Sequence, residues 1–193
     1  MAALTLAHAN TIVETALAAG AEHGMMPLTV AVLDAGGHLV ALQRQDGSGI
    51  LRVEIARGKA WASLGMGAPT RLLRDRLAGE RQYFIAGLVG ASDGKFICVP
   101  GGVLIRAEAG GPVIGAVGIS GDTSDKDEFA AIAGAKPGGA DPGLAGLQAL
   151  TILEPRCGGK QHAQDHLSGL MLFRQDRRTV RMPRLRLAIL APL

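Results

Sequence analysis

The sequence predicts an α+β fold: one antiparallel sheet of about five strands with helices packed on it. Three observations lead there. The stretch "VLDAGGHLVAL" at 32–42 sets an acid, two glycines and a histidine between two short apolar runs. That is a hairpin signature, because glycine accepts the positive φ of a tight reversal. The stretch "AEAGGPVIGAV" at 107–117 nearly repeats it. Segments with helical spacing precede, separate and follow these two corners, and hairpins imply antiparallel pairing.

The elements follow in order. Residues 5–24 read as a helix: Thr5 is placed to cap it, Ile12, Ala16 and Ala19 recur on one side, and Gly20 and Gly24 mark its end. "LTVAVLD" (28–34) is β-branched and apolar, a buried strand, and "HLVALQR" (38–44) is its return. Over 47–67, Ile50, Val53, Ala56, Ala60 and Leu64 share one helical face and Arg52, Lys59 and Ser63 another, with Ser48 as the expected N-cap. Residues 70–79 form a short amphipathic helix, and 80–90 are expected to be partly helical. "KFICVPGGVLIR" (95–106) reads as a strand, a Pro-Gly-Gly break and a second strand, and 110–121 as a glycine-interrupted strand. The last helix, 124–135, opens with Ser124 as N-cap and Asp127 at the third position, close to a capping box. At each hairpin corner Asp34 or Glu108 is suited to bond turn amides, which explains most of the repeated motif but not His38.

Composition narrows the function classes. Hydrophobic residues are 48% and charged residues 19% of the 193, which fits a folded domain. Aromatics are only 3%, against an aromatic stacking surface for nucleic acid. No apolar run reaches the ~18 residues of a membrane span. The first 24 residues lack the basic start of a secretory signal, so a cytoplasmic location is expected. Cys98 and Cys157 have no metal-binding spacing. Residues 1–154 hold 12 Lys+Arg and 15 Asp+Glu, a net of −3; residues 155–193 hold 8 and 2, a net of +6. From about residue 137 the chain also loses its periodicity. We therefore divide it into a domain at 1–136 and a basic C-terminal tail at 137–193, expected to be poorly structured. Nucleic acid and membrane are not among the expected partners. The body is poor in aromatics and rich in Ala, Val, Ile and Gly, so flat apolar faces should remain, and a homo-oligomer is expected.

The motifs "MPLTVAVLDAGGHLVALQRQDG" (26–47), "IARGKAWAS" (55–63), "PGGVLI" (100–105) and "GGPVIGAVGISGDTSDKDE" (110–128) occur in this order. Together they resemble the GlcG/HbpS-like family, which includes haem-binding HbpS proteins, the GlcG protein of glycolate operons and the C-terminal domain of PduO-type cobalamin adenosyltransferases. The resemblance covers about residues 4–135. It implies a profilin-like antiparallel sheet, assembly into oligomers, and a small-molecule ligand, with haem or a related tetrapyrrole as the cofactor. Many members sit in catabolic operons. The alternative is therefore an enzyme or accessory protein acting on a small organic acid.

Haem needs an axial ligand, an apolar slot and cations for its propionates. His38, beside Gly36 and Gly37, is the candidate metal ligand, against the plain reading of a strand-end residue facing water. Arg44 and Lys59 are candidate anion partners, with Lys59 equally readable as a solvated helix residue. Gly101, Gly102 and Ser120 lie in glycine turns able to present backbone amides to an anion. "GISGD" at 118–122 departs from the G-x-S-x-G nucleophile elbow, since its second glycine follows the serine directly. His162 and His166 are four apart, a spacing that suits a helical metal pair, but they lie in the tail. Truncation after Lys136 should leave the melting temperature within a few degrees, measured by circular dichroism, because little packed surface would be lost. A drop of ~10 °C or more would make the tail part of the fold.

Overall fold

The computed structural model describes residues 3–136; the tail, with Cys157, His162 and His166, lies outside them. Helix α1 (Leu6–Glu22) leads into strands β1 (Thr29–Asp34) and β2 (Leu39–Arg44). Helices α2 (Leu51–Met66), α3 (Thr70–Arg76) and α4 (Gln82–Ala91) come next, a 3-10 turn at Gly79–Arg81 preceding α4. Strands β3 (Gly102–Arg106) and β4 (Val113–Ser120) and helix α5 (Ser124–Ala135) complete the domain. The sheet is antiparallel throughout, in the order β2-β1-β4-β3.

Strand alternation builds three layers. Val30, Val32, Val103, Ile105, Val117 and Ile119 pack with Ala9, Ile12, Val13 and Ala16 of α1 and Ala130 and Ala131 of α5. Leu33, Leu104 and Ala116 point the other way, onto Ala60 of α2. A third cluster, Ala62, Ala68, Leu73, Leu77 and Phe96, joins α2 to α3, with Trp61, Ile85 and Leu88 against it. Helix α2 is thus a buried central helix. A Cβ on Gly118 would stand 2.0 Å from Ala56 O and 2.7 Å from Ala60 N, so the helix backbone rests directly on β4.

The α+β expectation holds, with four strands where about five were expected. The missing one is the segment after 95. There Ser92 Oγ accepts from the Phe96 amide at 3.0 Å. Ile97 and the Lys95 carbonyl crowd Gly58 of α2. The segment therefore runs along α2 and does not extend the sheet beyond β3. Residues 80–90 are more helical than expected, forming α4. Thr5 caps α1 as expected, accepting from the His8 amide at 3.2 Å. Ser48 does not cap α2, because its hydroxyl is buried against Thr29 Oγ1 at 2.8 Å. Helix α5 begins at Ser124 with Thr123 as its cap residue, and Asp127 reaches inward to Lys59 with one oxygen while the other accepts from the Asp122 amide. The polar stripe expected on α2 is largely buried: Lys59 and Ser63 are 1% and 0% exposed.

The Gly118 contact has a direct consequence. Gly118→Ala should destabilise the domain by about 3 kcal/mol, the upper range for overpacking, since the obstacle is the backbone of α2 at Ala56 and Ala60. Urea unfolding measures this, and a loss below about 0.5 kcal/mol would contradict the packing described.

Candidate ligand-binding site

The two hairpin corners lie at one end of the sheet. At the first, Asp34 Oδ1 accepts from the amides of Gly36 and His38, both at 2.9 Å. His38 Nδ1 sits 3.3 Å from Asp34 Oδ2. The His38 amide, above all, holds the Asp34 carboxyl below its ordinary value, and the His38 ring and Gly36 amide add to this. Gly37 has φ +81°, and a Cβ there would stand 3.4 Å from the Trp61 ring. The His38 side chain is 82% exposed. With Nδ1 facing a carboxylate, its Nε2 is presented outward, the arrangement in which a second group orients a metal-binding imidazole. At the second corner the Gly111 amide donates to Glu108 O at 2.9 Å and the Ala107 amide to Pro112 O at 3.1 Å, and the Arg106 guanidinium donates to Gly111 O at 2.8 Å.

The other candidates lie toward the opposite end of β1 and β4, where Thr29 pairs with Arg44 on one side and Ser120 on the other. Five residue steps of about 3.3 Å put the ends of β1 about 16 Å apart, so the eight candidate residues do not form one site. Those at this far end already have partners within the chain. The Arg44 guanidinium donates to Ser48 O. Ser120 is buried, and its hydroxyl accepts from Arg52 at 3.1 Å. Lys59 Nζ donates to Asp127 Oδ2 and to Ile119 O, each at 2.8 Å. Gly101 (φ +122°) leaves the room this needs, since a Cβ there would be 2.8 Å from Nζ. A Cβ on Gly102 would meet Lys59 O at 2.3 Å. Burial pulls the Lys59 ammonium below its ordinary value and pushes the Asp127 carboxyl above its own, while the contact between them opposes both shifts. Here Lys59 and the two glycines hold layers together.

A pocket of about 330 Å³ opens elsewhere, lined by Met66, Leu73, Arg76, Leu77, Arg81, Tyr83 and Phe84. Gly67, at φ +62°, ends α2 in a left-handed turn and leaves Met66 at the helix terminus. Pro69 starts α3, whose Leu73, with Leu77 just beyond it, turns into the Phe96 cluster while Arg76 stays outside. Gly79, at φ +64°, reverses the chain, and α4 brings Tyr83 and Phe84 to the rim. The walls are apolar, two guanidinium groups stand at the edge, and a thioether and a phenol are present. Trp61 packs against the cluster holding Leu73 and Leu77 and also underlies Gly37, so the hairpin corner and the pocket flank one indole. Sequence reasoning missed these residues. The usable signal was the charge-free run "QYFIAGLVGA" directly after Arg74, Arg76 and Arg81. Among the described residues, no three His, Cys, Asp or Glu side chains come together to hold a bare metal ion. No described helix is long and apolar enough to cross a membrane.

With this geometry in place, comparison with known proteins is decisive for the family. The family described as "Haem degrading protein HbpS-like" matches residues 4–136. The chain belongs to the HbpS-like family. A curated relative, an uncharacterized 15.0 kDa protein of the dhaT-dhaS intergenic region of Citrobacter freundii, is 28% identical over 131 residues, covering 68% of this chain and 89% of its own. The crystal structure of HbpS superposes with a TM-score of 0.60 at 29% identity, over 71% of this chain and 91% of that one. A PduOC:haem complex gives 0.63 at 23% identity, over 72% and 97%, and shares the fold.

The Lys59–Asp127 pair separates a structural lysine from a ligand-binding one. Lys59→Ala should cost about 3–5 kcal/mol, because it strands a buried carboxylate. Adding Asp127→Leu to Lys59→Met should recover most of that loss in urea unfolding, and a Lys59→Ala loss under 1 kcal/mol would place the lysine outside the core.

Proposed function

We propose that this HbpS-like domain binds haem or a closely related tetrapyrrole, and that it associates with itself. The observation that carries the reading is the pocket at the end of α2. Its apolar walls suit a flat macrocycle, and Arg76 and Arg81 suit two propionates, which guanidinium groups bind by paired hydrogen bonds. Met66 and Tyr83 carry the two side-chain types in the lining that ligate haem iron. The family match and the haem complex of a protein sharing the fold support the same ligand.

A second placement has a specific observation in its favour. The Asp34–His38 contact leaves Nε2 outward beside Gly36 and Gly37, which suits axial ligation from the hairpin corner. Apolar surface at that corner comes from Trp61 beneath Gly37 and the exposed Leu39, whereas the pocket is lined by Met66, Leu73, Leu77, Tyr83 and Phe84 together. A carboxylate site on Arg44 and Lys59, the organic-acid reading, has less support because Lys59 is buried and its ammonium is held by Asp127.

Haemin titration followed at the Soret band tests both placements. The pocket reading expects Arg76→Glu with Arg81→Glu to weaken binding at least tenfold, about 1.4 kcal/mol. It expects His38→Ala to bind like the wild type. A tenfold loss in His38→Ala, with the arginine variant unchanged, would move the ligand to the hairpin corner.

A further inference from the structure

The pocket at the end of α2 contains one group that the fold itself does not use. Tyr83, the chain's single tyrosine, stands in the first turn of α4 and is 80% exposed. Among the described residues its hydroxyl has no hydrogen-bond partner, so the phenol oxygen is free to meet a ligand.

The rest of the lining narrows what that oxygen can do. Leu73, Leu77 and Phe84 offer no electron pair, and the guanidinium groups of Arg76 and Arg81 only donate. Met66 and Tyr83 are therefore the two lining side chains able to bind a metal centre. They differ in kind: a thioether is neutral and soft, whereas a phenolate is a hard anion suited to ferric iron.

Charge separates the two further. A ferric tetrapyrrole carries one positive charge at its core and one negative charge on each propionate. The lining holds two guanidinium groups and no acidic side chain. With the propionates on Arg76 and Arg81, the core charge has a partner only when Tyr83 is ionised. Ligation by Met66 would leave that charge unpaired against apolar walls, which is costly. A ferrous or metal-free core is neutral, and a phenolate facing it would be the unpaired charge instead.

Resting on the haem reading above, we propose that Tyr83 is the axial ligand and makes the pocket selective for ferric haem over the ferrous and metal-free forms. The step is a ligand exchange without electron transfer. The phenol O–H bond breaks and its proton passes to solvent; an Fe–O bond forms, and the water or halide on free haemin leaves. Met66 then serves as part of the apolar wall.

Titration of the full chain with haemin and with metal-free protoporphyrin IX tests the assignment, together with resonance Raman spectra of the ferric complex. The wild type should show phenolate ring vibrations, which Tyr83 alone can supply in this chain. Tyr83→Phe keeps the ring on an exposed position, so its circular dichroism should match the wild type. It should lose those vibrations and bind haemin at least tenfold more weakly, with protoporphyrin affinity within about twofold of the wild type. Met66→Leu should keep the wild-type ferric spectrum, and reduction with dithionite should weaken wild-type binding about tenfold. The assignment is overturned if Tyr83→Phe keeps the wild-type haemin affinity or spectrum, or if it weakens both ligands alike. It is also overturned if Met66→Leu alters the ferric spectrum in place of Tyr83→Phe, or if reduction leaves the affinity unchanged. The pocket reading fails separately, when the wild type binds no haemin or the Arg76→Glu, Arg81→Glu variant binds it normally, and the assignment falls with it.

Discussion

The ion pair between Lys59 and Asp127 joins two layers on opposite faces of the sheet, and Arg71 of α3 adds a second link to α5 through Asp125 and Glu128. Lys59 belongs to α2 on one face, Asp127 to α5 on the other, and they meet beside Ile119 O where β4 nears its end. Taking both charges out of water is costly, so a pair of this kind contributes to stability mainly when every donor and acceptor is satisfied. Here the Asp122 amide takes the second carboxylate oxygen at 3.0 Å. Gly101 supplies the space, and Thr70 ties down the next residue, its hydroxyl accepting from the Gly102 amide at 2.8 Å. The segment "PGG", a candidate anion cradle by sequence, is therefore the lining of an internal ion pair.

Pinning α2 at this end determines what its other end can do. The helix rests on Gly118 and Gly102 with no side chain between, so its position on the sheet has little freedom. Its C-terminal half then delivers Trp61 under the first hairpin and Met66 to the pocket rim. The pocket is thus built from the exposed termini of a rigid central helix and a short one, closed by an apolar α4.

The hairpins and their glycine corners, the helix cap at Thr5, the antiparallel class and the family motifs were all legible in the residues. Each rests on local chemistry: positive φ at glycine, a side-chain oxygen near free helix amides, or alternation with a period of two. Where local signals competed with packing, packing won. Ser48 and Asp127 both look like caps, yet each is drawn into a buried contact from a distant segment. The stretch after Lys95 has strand composition, but its amides and side chains are engaged by Ser92 and α2.

The amino-acid sequence by itself determined the family, the two hairpins and the identity of the helices, because those depend on neighbours in the chain. Only the tertiary structure decided which charges are internal and which line a pocket. Lys59, Arg44 and Ser120 sit about a strand's length from His38, and a strand separates its ends by about 3.3 Å per residue whatever the side chains are. The arginines near a usable cavity, Arg76 and Arg81, are unremarkable in sequence and acquire meaning only because Gly67 and Gly79 fold α3 and α4 back around Met66.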